Sequence, residues 1–505
     1  MAERLAMAAA PFWLVGMGAL AGLLLLLIGW LIVLAISRPA ARELLDVFSR
    51  CAVLPVLSLA GFLALMSLVS IALAPLEEEH LGLQLFDRRE AALTSVLRIL
   101  DVGDQELEFS IEGNAVEHLV PLPVPKGELM ELRFLSDQDL RITLNHRESE
   151  LSDGVGLIQL GGKDEARWKR SVDDASLLAG EVERFYVTNN SPEPATLSIV
   201  AKTEIIVPEA RAIPIVAIGL VGYVLLFVLL RFGFRKTSAI AMASCKEAMS
   251  QPLFYLLLGI GSFLLLMLVY VPYFTFGEDI KQFKDSGLTM IIVLSVGFVF
   301  WTAGSSVAEE IEGRTALTVL SKPVGRAQFV IGKYLGIAAT VAVIFILLGS
   351  LLLLFTSYKT MFDATDAGRR DLVTWQECYG QLAHLTPGLV LGFLEVSVLA
   401  SITVALSTRL AMLPNLIICI TIYVVGHLLP LLVQSTMGEF ALVRFMGRLV
   451  ATLLPVLEYF NYYAAITSET SMPWDLFGLT ALYSLIYITI AMLLALVMFE
   501  DRDLA

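Results

Sequence analysis

Residues 301–336 read WTAGSSVAEEIEGRTALTVLSKPVGRAQFVIGKYLG. An apolar pattern ends near Val307, polar chain follows, and the apolar pattern resumes towards Gly336. Glu309, Glu310 and Glu312 stand just past the apolar edge, followed by Gly313 and Arg314. Gly313 has no Cβ and so tolerates the positive φ of a tight break. Thr315 to Leu320 is helix-prone and sets Leu317 and Leu320 three apart, on one side of a turn. Pro323 stops that run, because proline lacks a donor and clashes with the preceding turn. Arg326 and Lys333 flank the next apolar span. Two readings are open: a charged loop whose basic residues fix membrane orientation, or a docking element for a soluble partner.

Working outward, the 505 residues are 57% hydrophobic, and they contain uninterrupted apolar runs of a length that water-soluble domains lack. Apolar spans fall at about 12–36, 53–75, 212–231, 253–271, 287–307, 336–356, 388–407, 411–433 and 476–499. Each is long enough for a helix across the roughly 30 Å hydrocarbon core. The fold class expected is therefore an α-helical polytopic membrane protein of about nine transmembrane helices. The first span follows a single Arg and is longer than the apolar region of a secretory signal, so it reads as a retained helix. Cys51, Cys245, Cys378 and Cys419 lie far apart and form neither a metal-binding spacing nor a disulfide framework.

The net charge of −14 is local. Between Leu76 and Pro208 there are 26 acidic and 13 basic residues, so the remaining chain is almost neutral. That segment also alternates as strands do, at Leu107–Ile111, Leu140–Leu144 and Ala195–Ile199. Residues 184–194 read as a strand, a turn and a return strand. Seven or eight such pieces between Pro and Gly predict an inserted, acidic, all-β sandwich over 76–208. Its acidity argues against nucleic acid as a partner. Placing 38–50, 231–250, 308–335, 408–410 and 500–505 on one side collects 13 basic residues, more than the short segments opposite hold. By the positive-inside rule these are cytoplasmic. The N-terminus and the β domain are then outside, and the C-terminus inside. The β domain suits either contact with an external ligand or a spacing role.

Taken in order, the pair Glu309–Glu310, Gly313-Arg314-Thr315, Leu320-Ser321-Lys322-Pro323-Val324, Arg326 and Gly332-Lys333-Tyr334-Leu335-Gly336 resemble the first intracellular loop of the ABC-2 type (type-2 exporter) ABC transporter permeases. The resemblance covers roughly 237–505. It implies a coupling helix in the 308–327 loop, resting on a cytoplasmic ATP-binding subunit, with Glu309, Glu310, Glu312, Gly313, Arg314, Leu317, Leu320, Pro323 and Arg326 as the coupling residues. It further implies a six-helix permease core over 236–505, following the two-helix region 1–75 and a third helix over 209–235. Residues 236–250 match the family's interfacial connecting helix: Ala243, Lys246, Glu247 and Ser250 share one face, and Met242, Cys245 and Met249 another. By its own pattern this segment equally suits a continued membrane helix. The apolar stripe Phe440, Val443, Met446, Val450 and Leu453, ahead of Pro455, is similar to the family's external re-entrant hairpin, expected over 438–466. Also implied are a second permease copy or paralogue, a prokaryotic plasma membrane, and ATP with Mg in the partner subunit.

Residues 325–333 do not form a phosphate-binding loop. Six residues separate Gly325 from Gly332, and Tyr334 follows the Lys, where four residues and a Ser or Thr are required. No cofactor is expected in this chain. Glu395 is the one acid well inside an apolar span. A carboxylate there is costly unless paired, neutral or facing water. It either lines a translocation path or couples to a proton, or it is a structural acid bonded to Ser401, Thr403 or His427. His427 reads as a packing histidine beside that path, since no second metal ligand accompanies it. Two rival functions stay open. One is a membrane-anchored sensor or assembly scaffold displaying the β domain. The other is an ion-coupled transporter using Glu395, for which broken helices or inverted repeats are expected.

Overall fold

The computed structural model describes residues 2–48, 52–77, 87–99, 101–121, 128–144, 157–161, 165–169, 184–271, 278–308, 324–366, 374–435, 445, 449, 452–461 and 473–500. The chain divides into two compact units, Glu78–Ala212 and the remainder, Met1–Glu77 with Ile213–Ala505.

The smaller unit holds a helix, α4 (Asp87–Leu97), and eight strands: β1 (Asp104–Ile111), β2 (His118–Pro121), β3 (Leu129–Ser136), β4 (Leu140–Leu144), β5 (Leu157–Leu160), β6 (Glu165–Lys169), β7 (Arg184–Asn189) and β8 (Ala195–Thr203). They form two antiparallel four-stranded sheets, ordered β1-β8-β3-β6 and β2-β7-β4-β5. Alternation along each strand turns Leu132, Phe134, Leu197 and Ile199 of one sheet, and Ile142, Phe185 and Val187 of the other, into one buried core. Phe134 and Phe185 meet edge to face across it, their centroids 5.6 Å apart. This is the expected β-sandwich.

The return strand after 184–194 is not the hairpin partner of the strand before it. β7 pairs with β2 and β4, whereas β8 pairs with β1 and β3. The corner is held by Asn189, whose Nδ2 donates to the carbonyls of Glu112 and Glu193, and whose Oδ1 accepts from the Ser191 N–H. Those bonds carry the chain from one sheet to the other. At the next edge, Asp137 accepts from the backbone N–H and the hydroxyl of Thr196, and these bonds hold its carboxyl below the usual carboxylate range.

The larger unit is helical: α1 (Ala2–Ile36), α2 (Arg38–Phe48), α3 (Val53–Glu77), α5 (Ala212–Gly233), α6 (Arg235–Ser250), α7 (Pro252–Tyr270), α8 (Asp279–Ala303), α9 (Arg326–Asp366), α10 (Trp375–Ser407), α11 (Met412–Ser435) and α12 (Trp474–Glu500). Among the described residues eight helices are long and apolar enough to cross a membrane, and α3, joined to α2 at an 82° bend, makes a possible ninth. With these spans the protein is an integral membrane protein. Its centre is α8, α9 and α10, whose apolar windows are 61%, 50% and 67% buried, against 11–28% for the other single spans.

Several elements differ from the sequence reading; α10 begins at Trp375 and α8 at Asp279, ahead of the spans expected from 388 and 287. Residues 38–48, read as loop, form the amphipathic helix α2, which buries Ala41 and Val47 and leaves Arg42 and Glu43 exposed. The span expected at 336–356 is the middle of α9, which runs for 41 residues, about 61 Å at 1.5 Å per residue. It overruns the hydrocarbon core because its charges are satisfied within the protein. Lys333 meets Glu247 at 3.3 Å, and Lys359 meets Asp363 at 3.2 Å.

Candidate functional site

The 308–327 loop is bounded by two described ends. Residues 309–323 lie outside the described part of the chain, and with them Glu309, Glu310, Glu312, Gly313, Arg314, Leu317, Leu320 and Pro323. On the entering side, α8 passes into a wide π-helical turn, Gly304–Ala308. Such turns interrupt the regular ladder and recur at functional sites. The turn packs against α10 and α11, and a Cβ on Gly304 would stand 2.9 Å from Met412.

On the leaving side, Arg326 opens α9. Its guanidinium donates to the backbone carbonyls of Phe499 and Glu500, the last turn of α12, and lies 6.0 Å from the Phe499 ring centroid. Unpaired carbonyls at a helix C-terminus carry partial negative charge, which a guanidinium complements. Phe329, one turn on, stacks on Phe499 at 5.9 Å. Arg326 thus ties the loop's exit to α12.

α6 lies along the first turns of α9. Gly332 and Gly336 make this possible, since a Cβ on Gly336 would be 2.6 Å from the Ala241 carbonyl oxygen and one on Gly332 2.7 Å from Ile240. Small residues four apart let two helix backbones approach. α6 is a separate helix rather than a continuation of α5. It exposes Ala243, Lys246, Glu247 and Ser250 and buries Cys245, while Met242 and Met249 are half-buried, which is the division of faces expected from sequence.

Glu395 sits deep in α10, 3% exposed. Of the three partners considered, two are engaged elsewhere. The Ser401 hydroxyl donates to the Val398 carbonyl and that of Thr403 to the Leu399 carbonyl. The third, His427 of α11, brings Nε2 to 3.5 Å from Glu395 Oε1. That oxygen has no hydrogen-bond donor within bonding distance. His427 Nδ1 stands 3.2 Å from the Tyr423 carbonyl, which can only accept, so a bond there places a proton on Nδ1. Nε2 then approaches the carboxyl either as a lone pair or, in the cation, as a second N–H. Attraction between them needs one proton shared by the pair.

Above the pair, the described part of the expected 438–466 hairpin includes a helical turn, Leu457–Phe460, packed on α10 and α11 with Leu457 and Phe460 buried. Gly426 admits it, since a Cβ there would meet the Leu457 side chain at 2.9 Å and the Pro455 carbonyl oxygen at 3.0 Å. Tyr483 accepts from the Val456 N–H, and Tyr487 donates to the Leu453 carbonyl. Within the turn Leu457 and Phe460 face the helices, while Glu458 and Tyr459 are exposed.

Sequence reading missed two buried lysines at the ends of α8 and α9 remote from the loop. Lys284 donates to Gln381 at 2.6 Å, and Lys359 to Asp363 and the Val269 carbonyl. The i,i+4 spacing of Lys359 and Asp363 was a visible signal; the Gln381 partner, far along the chain, was not. Among the described residues no group of three or more His, Cys, Asp or Glu could hold a metal ion.

Residues 218–504 match the family described as ABC-2 family transporter protein. The matched segment is more than half of the chain. The chain belongs to this family. A search of curated proteins found no match. The ABC-2 segment begins inside α5, earlier than the boundary near 237 expected from the loop motifs, so most of α5, from Ile218 onward, belongs with the matched region. As an ABC-2 protein the chain is a membrane permease component of an ABC transporter.

Proposed function

We propose that the chain is the transmembrane subunit of an ATP-binding cassette exporter, working with a separate ATPase subunit that holds ATP and Mg. In this reading two six-helix cores, from two copies or from a paralogue pair, face each other to form the path. The ATPase docks under the 308–327 loop, with Leu317 and Leu320 as apolar anchors and Glu309, Glu310, Glu312 and Arg314 orienting it. The observation that carries the reading is the placement of the loop's two ends. One continues from α8 through a π turn, and the other is clamped by Arg326 to α12. A push on the loop therefore reaches the buried centre and the last helix together. Glu395 and His427 lie on the path under the external turn, where a shared proton can follow the conformational change. The loop side is cytoplasmic, and the N-terminus and β unit are outside.

Affinity purification of the full chain from its native membranes in mild detergent tests this. A soluble subunit with a phosphate-binding loop and Mg-dependent ATP hydrolysis is expected to copurify. The β-sandwich favours one other reading, a membrane-anchored sensor or scaffold, and recovery of external partners with no ATPase would favour it.

A further inference from the structure

Within the membrane unit, a cavity of about 830 Å3 lies between α9 and a wall built from α1, α3, α5, α6 and α10. Its α9 lining includes Ile331, Leu335, Ala342, Gly349 and Leu353, a single helical stripe. From Ile331 to Leu353 the stripe covers about 33 Å at 1.5 Å per residue, the thickness of the hydrocarbon core. An apolar groove of that length accommodates an extended hydrocarbon chain.

The walls offer almost nothing polar. Four of the lining hydroxyls already donate to backbone carbonyls: Tyr223 to Ala52, Ser238 to Arg235, Ser350 to Leu347 and Thr386 to Leu382. A sugar or peptide would bury its own polar groups there without partners, which is strongly unfavourable, and an apolar cavity does not hold water. At the end near Ile331, Phe234, Thr237 and Ser238 line the cavity, and in the same stretch Arg235 is exposed and Arg231 half-exposed. Those guanidiniums stand at a helix end, the level of lipid headgroups.

We propose that this cavity is a lipid-binding site, and that its occupant is an anionic glycerophospholipid, with its phosphate at Arg231 and Arg235 and a tail running along α9 from Ile331 towards Gly349. The site belongs to the junction of the N-terminal helices with the ABC-2 segment and does not depend on the ATPase reading. The test reconstitutes the full chain in vesicles of phosphatidylcholine and phosphatidylglycerol, one of them carrying a diazirine at the end of an acyl chain, and maps the photoadducts by peptide mass spectrometry. Phosphatidylglycerol adducts are expected within 338–350 of α9. Arg231→Ala with Arg235→Ala is expected to lower their yield roughly thirtyfold, as two basic groups at an anionic headgroup imply, and to leave phosphatidylcholine adducts unchanged. Ala342→Trp, which fills the groove, is expected to remove the α9 adducts. Wild-type adducts confined to lipid-facing positions such as Leu229 and Leu485, or equal capture of the two lipids by wild type and the double Arg variant, would overturn the proposal. The wild-type map decides even if Ala342→Trp does not fold.

Discussion

Glu395 and His427 carry opposite demands. A carboxylate this deep is costly, and its nearest partner stands at 3.5 Å with one proton to share. Glu395→Gln keeps the size and supplies an N–H that can donate to Nε2 of a neutral imidazole, but it cannot exchange a proton. On the path reading, the variant is expected to keep its folded yield and to lose roughly tenfold in rate, equivalent to about 1.4 kcal/mol of barrier. Complementation of a deletion strain, with yield followed by size-exclusion chromatography, measures both. Full complementation by Glu395→Gln and by Glu395→Leu would remove the residue from the path. The acid was legible in sequence as the lone charge in an apolar span. Its partner was not, because three groups lay within plausible reach and only helix packing decides which hydroxyls are already bonded to their own carbonyls. Arg326 was read as a coupling residue, and the structure places its guanidinium on the end of α12. A contact between residues so far apart in the chain has no local signature.

The joint between α6 and α9 rests on absent side chains. Gly336→Val would drive a branched carbon into the Ala241 backbone, and overpacking of this kind costs about 1–3 kcal/mol. The expected outcome is a lower melting temperature in detergent and loss of the packed α6. Gly297→Ala is the control, since nothing stands within 4 Å of its Cβ position. Within a helix that change is neutral or stabilising by up to about 1 kcal/mol. Equal melting temperatures for the two variants would refute the close-packing account. The faces of α6 and the β-strands were legible in sequence because both follow local periodicity. The full length of α9 was not, because its end turns mix charges with apolar residues and the pairing of Lys333 with Glu247 comes from another helix. The crossing of β7 and β8 between sheets was likewise hidden, since a turn sequence marks a reversal and not the sheet that receives the next strand.

At the scale of the whole molecule, an ABC-2 segment is combined with additional N-terminal helices and an inserted β-sandwich. The family and the span count were legible because the loop motifs and the apolar runs are local. The cavity was not, since five helices join α9 to form it. The proposed topology rests on the bias of the basic residues and is tested with single cysteines and a membrane-impermeant thiol reagent in intact cells. Asp164→Cys and Ala367→Cys are expected to react and Ser321→Cys to remain unlabelled; the described native cysteines are buried. Equal labelling at all three would contradict the orientation. In the proposed function, the 308–327 loop transmits the work of a separate ATPase. Truncating apolar anchors at an interface commonly costs over 1 kcal/mol each. The most direct measurement is therefore ATPase copurification and ATP-dependent export with Leu317→Ala and Leu320→Ala combined. A correctly inserted, folded chain that binds the ATPase more weakly or hydrolyses ATP without export is the expected outcome. A double variant that retains both full binding and full export would contradict it.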